Sequence, residues 1–183
     1  SSPLTSIEEW SFHGCNLIEI EIPSSVTSIE NNAFYDCKHM KNITIPSSVK
    51  TIGDYSFYNC RSLRQIEIPK SVKRIGKYAF SRCVGLVKVT FENDSLLIEF
   101  EEYLFSECNS LKQVQIPSSV TSIGKYAFNN CGRLEYVEFD NPCNVTEFGS
   151  FSFRGCNSLT QITIPNSIRK VGDYAFSNCN NLQ

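Results

Sequence analysis

Nine cysteines and two histidines are the side chains of this protein best suited to chemistry, because a thiolate is both a nucleophile and a metal ligand. Three chemistries are open to them: a disulfide framework, a zinc site, or a Cys/His nucleophile pair. Spacing separates these. Cys15, Cys37, Cys60, Cys83, Cys108, Cys131, Cys156 and Cys179 lie 22, 23, 23, 25, 23, 25 and 23 residues apart, while Cys143 falls out of phase. Structural zinc needs close pairs such as C-x₂-C, and disulfide scaffolds space their cysteines irregularly in short chains. A sustained period of this length is instead the mark of a repeat protein. His13 precedes its cysteine by two residues and His39 follows its own by two, so no histidine recurs beside a thiol. The sequence has no P-loop, no H-E-x-x-H and no dinucleotide fingerprint. It predicts no catalysis and no cofactor within this chain.

The elements that position the cysteines recur with them. Phenylalanine stands three residues before every periodic cysteine: Phe12, Phe34, Phe57, Phe80, Phe105, Phe128, Phe153 and Phe176. Five residues before, an aromatic occurs in seven of eight turns, with Asn32 the departure. After the cysteine comes L-x-x-I-x-I, whose second half alternates as a half-buried strand does. Pro23, Pro46, Pro69, Pro117 and Pro165 then end the strand, because proline lacks the next ladder N–H. The following S-V-x-x-I-G predicts a second short extended piece, and the aromatic stretch before cysteine predicts one or two helical turns, in part 3₁₀. A turn with so little chain can bury its apolar face only against the next turn, which gives a stacked solenoid. Gly53, Gly76, Gly124, Gly149 and Gly172, each seven residues before a cysteine, admit a left-handed backbone there. Glu8, Glu30 and Glu101 at the same place show that it is not obligatory.

The motif L-x-x-I-x-I-P-x-S-V-x-x-I-G-x-Y-A-F-x-x-C resembles the BspA-like leucine-rich repeats along the whole chain. The resemblance implies an α/β repeat solenoid. Its expected form is a right-handed horseshoe or coil with a parallel β-sheet on one face and short strands with 3₁₀ or α turns on the other. Residues 1–183 then form one domain of about eight turns of 22–25 residues, cut within a repeat at both ends. Proteins of this kind act as adhesins or host-binding surfaces, so the resemblance also implies a secreted or cell-surface setting and a noncatalytic role. The alternatives are an intracellular scaffold or receptor repeat, and the repeat domain of an enzyme whose active site lies elsewhere. Where the general leucine-rich consensus has Asn or Cys, this chain has Ser25, Ser48, Ser71, Ser119 and Ser167. Their hydroxyls are expected to bond turn backbone.

Composition fits an ordinary folded domain, with 41% hydrophobic and 20% charged residues. The longest aliphatic run, Leu96-Leu97-Ile98, is far short of the roughly 20 residues that cross a bilayer, so no membrane insertion is expected. A net charge of −2 gives no general attraction to nucleic acid. That total conceals a net of +7 over residues 61–88 and −6 over residues 89–111. The repeat register sets Arg74 beside Glu99, Lys77 beside Glu102 and Arg82 beside Glu107, so much of the segregation serves pairing between turns. Arg61, Arg64, Lys70, Lys73 and Lys88 remain as a candidate anion patch. Two acidic, longer turns, at Glu92-Asn93-Asp94-Ser95 and Asp140-Asn141-Pro142-Cys143-Asn144, read as irregular turns, since neither has the twelve-residue calcium loop.

Residues pointing outward from the strand sheet escape the packing constraint and form the expected partner surface. One column is Glu19, Asn42, Gln65, Lys88, Gln113, Tyr136 and Gln161; the other is Glu21, Thr44, Glu67, Thr90, Gln115, Glu138 and Thr163. Seven strands at the usual spacing make a sheet about 30 Å long, wide enough for a protein or glycan, with Tyr136 the natural anchor. The eight periodic thiols are expected to be reduced and buried, and Cys143 exposed. No polar cap is apparent at either end, so end-to-end association is expected.

Overall fold

The computed structural model describes residues 2–183. A short strand follows six of the eight periodic cysteines, and another precedes each of the eight. The first set comprises Glu19–Glu21, Asn42–Thr44, Gln65–Ile68, Lys88–Phe91, Gln113–Ile116 and Tyr136–Phe139. The second comprises Ser6–Ile7, Ser28–Ile29, Thr51–Ile52, Arg74–Ile75, Glu99–Phe100, Ser122–Ile123, Glu147–Phe148 and Lys170–Val171. All pairings are parallel and register follows the repeat: Ile66 lies beside Val89, Val114 beside Val137, and Ile29 beside Ile52. These apolar residues point inward and are buried. Pro23, Pro46, Pro69 and Pro117 follow strands as expected, and the carbonyls of these and of Pro165 tighten the next bend by accepting N–H bonds at 3.0–3.1 Å from Val26, Val49, Val72, Val120 and Ile168.

Six strands, not seven, line the first face. Gln161 and Thr163 stand in the corresponding column, but residues 160–164 join no ladder. The following turn meets this segment only through its last residue, Gln183, whose N–H donates to the Thr160 carbonyl at 3.0 Å.

The expected helical turns do not form, and the α/β class gives way to an all-β solenoid: no helix occurs among the described residues. In an α-helix every N–H bonds within its own segment. Here every second N–H leaves for the next turn. Ser56, Tyr58 and Cys60 donate to the carbonyls of Gly53, Tyr55 and Phe57, whereas Tyr55, Phe57 and Asn59 donate to those of Lys77, Ala79 and Ser81. A left-handed residue at two places per turn re-aims these amides. Positive φ recurs five residues before the cysteine, as in Tyr55 (56°) and Tyr103 (59°), and again one residue before it, as in Asn59 (61°) and Asn130 (58°).

The glycines seven before cysteine are not the left-handed positions. They are needed because adjacent turns approach closely there: a Cβ on Gly149 would lie 2.6 Å from the Lys125 nitrogen, and one on Gly53 would lie 2.5 Å from the Asn31 nitrogen.

Two aromatic stacks run through the turns. The phenylalanine column forms an unbroken spine from Phe12 to Phe176, with centroids 5.1–5.6 Å apart and planes within 18°. Six of its eight rings are fully buried. On the flank, Tyr55, Tyr78, Tyr103, Tyr126 and Phe151 stack at 4.3–4.7 Å. A non-glycine residue in the left-handed region costs roughly 1 kcal/mol or more, and a stacked aromatic pair returns about 0.5–1.5 kcal/mol. The flank stack therefore offsets the strain of the backbone that carries it.

Candidate functional site

All nine cysteines are free thiols. Seven of the periodic ones donate to the phenylalanine carbonyl of the preceding turn: Cys37 to Phe12, Cys60 to Phe34, Cys83 to Phe57, Cys108 to Phe80, Cys131 to Phe105, Cys156 to Phe128 and Cys179 to Phe153, over 2.9–3.3 Å. Alanine would leave that second carbonyl lone pair unmet. Burial pushes Cys37 up to about 11 and Cys131 up to about 12, and raises Cys60 and Cys108 as well. These thiols therefore stay protonated near neutral pH. Cys179 goes the other way, lowered first by its hydrogen bond with Cys156. Cys143 is half-buried against the core, like Cys15 and Cys179, and so is less open than its place in an irregular turn suggested. His13 stacks edge-on against Trp10 at 5.2 Å, and no group of His, Cys, Asp or Glu suited to a metal occurs among the described residues.

The serine column does bond backbone between turns. Ser25, Ser48 and Ser71 donate to the carbonyls of Leu4, Val26 and Val49, each at 2.6 Å. The ladder fails at Ser119, which lacks a partner, and at Ser167, which meets the Cys143 sulfur at 3.7 Å. Both serines follow a turn that contains an irregular segment. The acidic residues that open these segments act alike, since Glu92 accepts from the Lys70 N–H at 2.9 Å and Asp140 accepts from the Ser118 N–H at 3.3 Å. Each satisfies the amide just after a proline, which explains why both irregular turns begin with a carboxylate.

Charges between turns follow the register in two of the three expected cases, Lys77 with Glu102 and Arg82 with Glu107, both at 3.3 Å. Arg74 does not reach Glu99. It pairs with Asp54 at 3.0 Å and diagonally with Glu101 at 3.8 Å. Except at Glu101, both partners are exposed, so the pairs with Asp54, Glu102 and Glu107 each contribute under about 1 kcal/mol. The sequence-adjacent cations divide: Arg61 and Arg64 precede the strand Gln65–Ile68, while Lys70 and Lys73 follow it, about 13 Å of strand away.

The outward columns assemble as expected along six strands. Glu19 pairs with Asn42, and Gln65, Lys88, Gln113 and Tyr136 stand in one register; beside them run Glu21 with Thr44, Glu67 with Thr90, and Gln115 with Glu138. All are exposed except Thr90, which is half-buried. Exposed Tyr136 retains half its surface. Two shallow depressions cover this face. One of about 660 Å³ spans Asn42 to Thr90, and one of about 290 Å³ is lined by Gln113, Gln115, Glu92 and Asp140 among others. Glu92 and Asp140 come from the two irregular turns, whose acidic start was the available sequence signal.

The profile of the BspA type leucine-rich repeat region matches residues 1–98 and 93–183, in six copies. The chain belongs to the BspA-type leucine-rich repeat family. Among solved structures, this BspA-type chain is similar to a leucine-rich cell surface protein from Faecalibacterium prausnitzii, at 31% identity and TM-score 0.78 over 92% of this chain and 47% of that one. It is similar to a leucine-rich repeat protein from Eubacterium ventriosum, at 29% identity and TM-score 0.80 over 88% of this chain and 42% of that one. The leucine-rich repeat protein of T. pallidum gives 32% identity and TM-score 0.83 over 91% of this chain and 78% of that one. The chain thus spans about half the length of the first two. Comparison with curated proteins finds no match. No helix among the described residues is long and apolar enough to cross a membrane.

Proposed function

We propose that this BspA-type repeat is a noncatalytic binding module of a cell-surface or secreted protein, and that it engages a protein or glycan through the six-strand face. The observation that carries this reading is the division of labour among the columns. Cysteine, phenylalanine and inward strand residues are consumed by stacking, and the flank tyrosines cover one another. The outward strand columns are exposed, in register and free of such duties. The similarity to a cell-surface protein of Faecalibacterium supports the setting. Tyr136, on the last of the six strands, is the one aromatic in the outward columns, and large aromatics are where binding energy usually concentrates.

The test is immobilised binding to a panel of extracellular-matrix proteins and glycans. Tyr136→Ala is expected to weaken a captured partner by about tenfold or more. Tyr174→Ala, an exposed ring on the flank, is expected to leave it unchanged. A partner lost with Tyr174→Ala and kept with Tyr136→Ala would place binding on the flank and refute the strand-face reading.

A further inference from the structure

The repeat register builds a row of cations that the linear sequence hides. Immediately before the first-face strands, Ile18, Lys41, Arg64, Val87, Lys112 and Glu135 succeed one another in one column. Backbone bonds from Val87 to Arg64, Lys112 to Val87 and Glu135 to Lys112 fix the alignment of the last four and one from Lys41 to Ile18 that of the first two, the two groups meeting where Asn42–Thr44 packs beside Gln65–Ile68. Where the column carries Val87, the adjoining residue Lys88 supplies the charge, beside Gln65 and Gln113. Lys41, Arg64, Lys88 and Lys112 therefore occupy four consecutive turns. All four are exposed, and none is ion-paired among the described residues, in contrast to Arg74, Lys77 and Arg82 on the other flank. At the spacing of adjacent strands the row is about 14 Å long. Ile18 bounds it on one side and Glu135 on the other.

We propose that this row, along the leading edge of the strand face, binds a sulfated polysaccharide laid across the turns. Four unpaired cations in line with no intervening carboxylate in the column suit a linear polyanion. The neighbouring column supplies what distinguishes a sugar chain from other polyanions. Asn42, Gln65, Gln113 and Tyr136 offer amides and a phenol at each step, matched to hydroxyl and acetamido groups. A single-stranded nucleic acid would instead need a series of exposed rings for its bases, and this edge has one. Glu67, on the Arg64 turn, stands three residues further along the strand.

The proposal rests on the strand-face reading for its neighbouring column, Lys88 included, while Arg64 and Lys112 lie outside the two outward columns and so can be tested apart from it. The experiment measures binding of the whole chain to a size-defined heparin oligosaccharide at 0.15 M salt, roughly physiological ionic strength. Arg64→Gln with Lys112→Gln is compared with Arg74→Gln with Lys77→Gln, which removes the same charge from the paired flank. The row variant is expected to lose about tenfold in affinity with a shallower salt dependence, the flank variant less than about twofold. Unchanged thermal melting of both keeps the comparison clean. Desulfated oligosaccharide is expected not to bind, and single-stranded DNA of equal charge to bind about tenfold more weakly. No heparin binding by the wild type, equal loss in both variants, or equal affinity for the DNA would each overturn the assignment. Loss of heparin binding with the panel partner of the strand face retained would leave the two surfaces independent.

Discussion

Phe105→Ala is expected to lower the free energy of unfolding by about 3–5 kcal/mol. The Phe105 ring is fully buried, stacked on Phe80 and Phe128 at 5.6 Å each and met edge-on by Phe100 at 5.9 Å. Truncation removes the transfer energy of the ring and leaves a hole bounded by three other rings, each held by its own turn, so collapse to fill it is restricted. Phe12→Ala is the internal comparison. That ring stacks on one neighbour, Phe34, and is only partly buried, so its loss should be clearly smaller. Urea unfolding followed by far-ultraviolet circular dichroism measures both. Because a solenoid couples only nearest neighbours, Phe105→Ala should also broaden the transition as the two halves of the array come apart. An unchanged midpoint would mean that no continuous spine exists.

Gly149→Ala is expected to destabilise by about 1–3 kcal/mol, as overpacking does. The added carbon would lie 2.6 Å from the Lys125 nitrogen, 2.7 Å from the Gly124 carbonyl carbon and 3.0 Å from the Ile123 oxygen. These are backbone atoms of the preceding turn, which cannot rotate aside as a side chain would. The same turns are bonded there, Gly149 N–H to Ile123 O at 2.7 Å, so the clash and the bond compete directly. Gly132→Ala is the opposite case. Nothing lies within 4 Å of its Cβ position, and alanine there should stabilise by up to about 1 kcal/mol through the unfolded chain. Gly149→Asn separates the two explanations of the glycine, because asparagine tolerates a left-handed backbone but not a close approach. Thermal melts that rank Gly149→Asn with Gly149→Ala support close approach; tolerance of asparagine alone would restore the left-handed reading.

The parts of the fold that repeat within one turn were legible. Cysteine and phenylalanine spacing located the spine, I-x-I located the first strands, and the serine hydroxyls reached backbone where the preceding turn was regular. The helical expectation failed because the decisive hydrogen bonds of the Tyr55–Asn59 stretch end on Lys77, Ala79 and Ser81, a full turn away. A local pattern of aromatics cannot show that. One signal was present: Gly, Asn or Asp fills six of the eight places directly before cysteine, namely Gly14, Asp36, Asn59, Asn130, Gly155 and Asn178, and all are left-handed. The aromatic left-handed position had no such signal, since only stacking on the neighbouring turn makes Tyr78 or Tyr103 acceptable there. On the outward strand face, the two columns were readable from alternation. The basic stretch gave no such alignment, because Arg64 and Lys70, close in sequence, stand at opposite ends of a strand. The charge row needs Lys41 and Lys112, which lie outside the basic stretch altogether.

The stacked thiols are the feature on which the interpretation turns, since they would be the chemistry of this chain if they were not its packing. Reaction with an aromatic disulfide reagent at pH 8, with and without denaturant and without reductant, tests this most directly. The arrangement predicts nine thiols in denaturant. In the folded chain, Cys15, Cys143 and Cys179 should react first, while Cys37, Cys60, Cys83, Cys108, Cys131 and Cys156 are released only as the chain unfolds. Rapid reaction of those six in the folded protein, or fewer than nine thiols in denaturant, would contradict it.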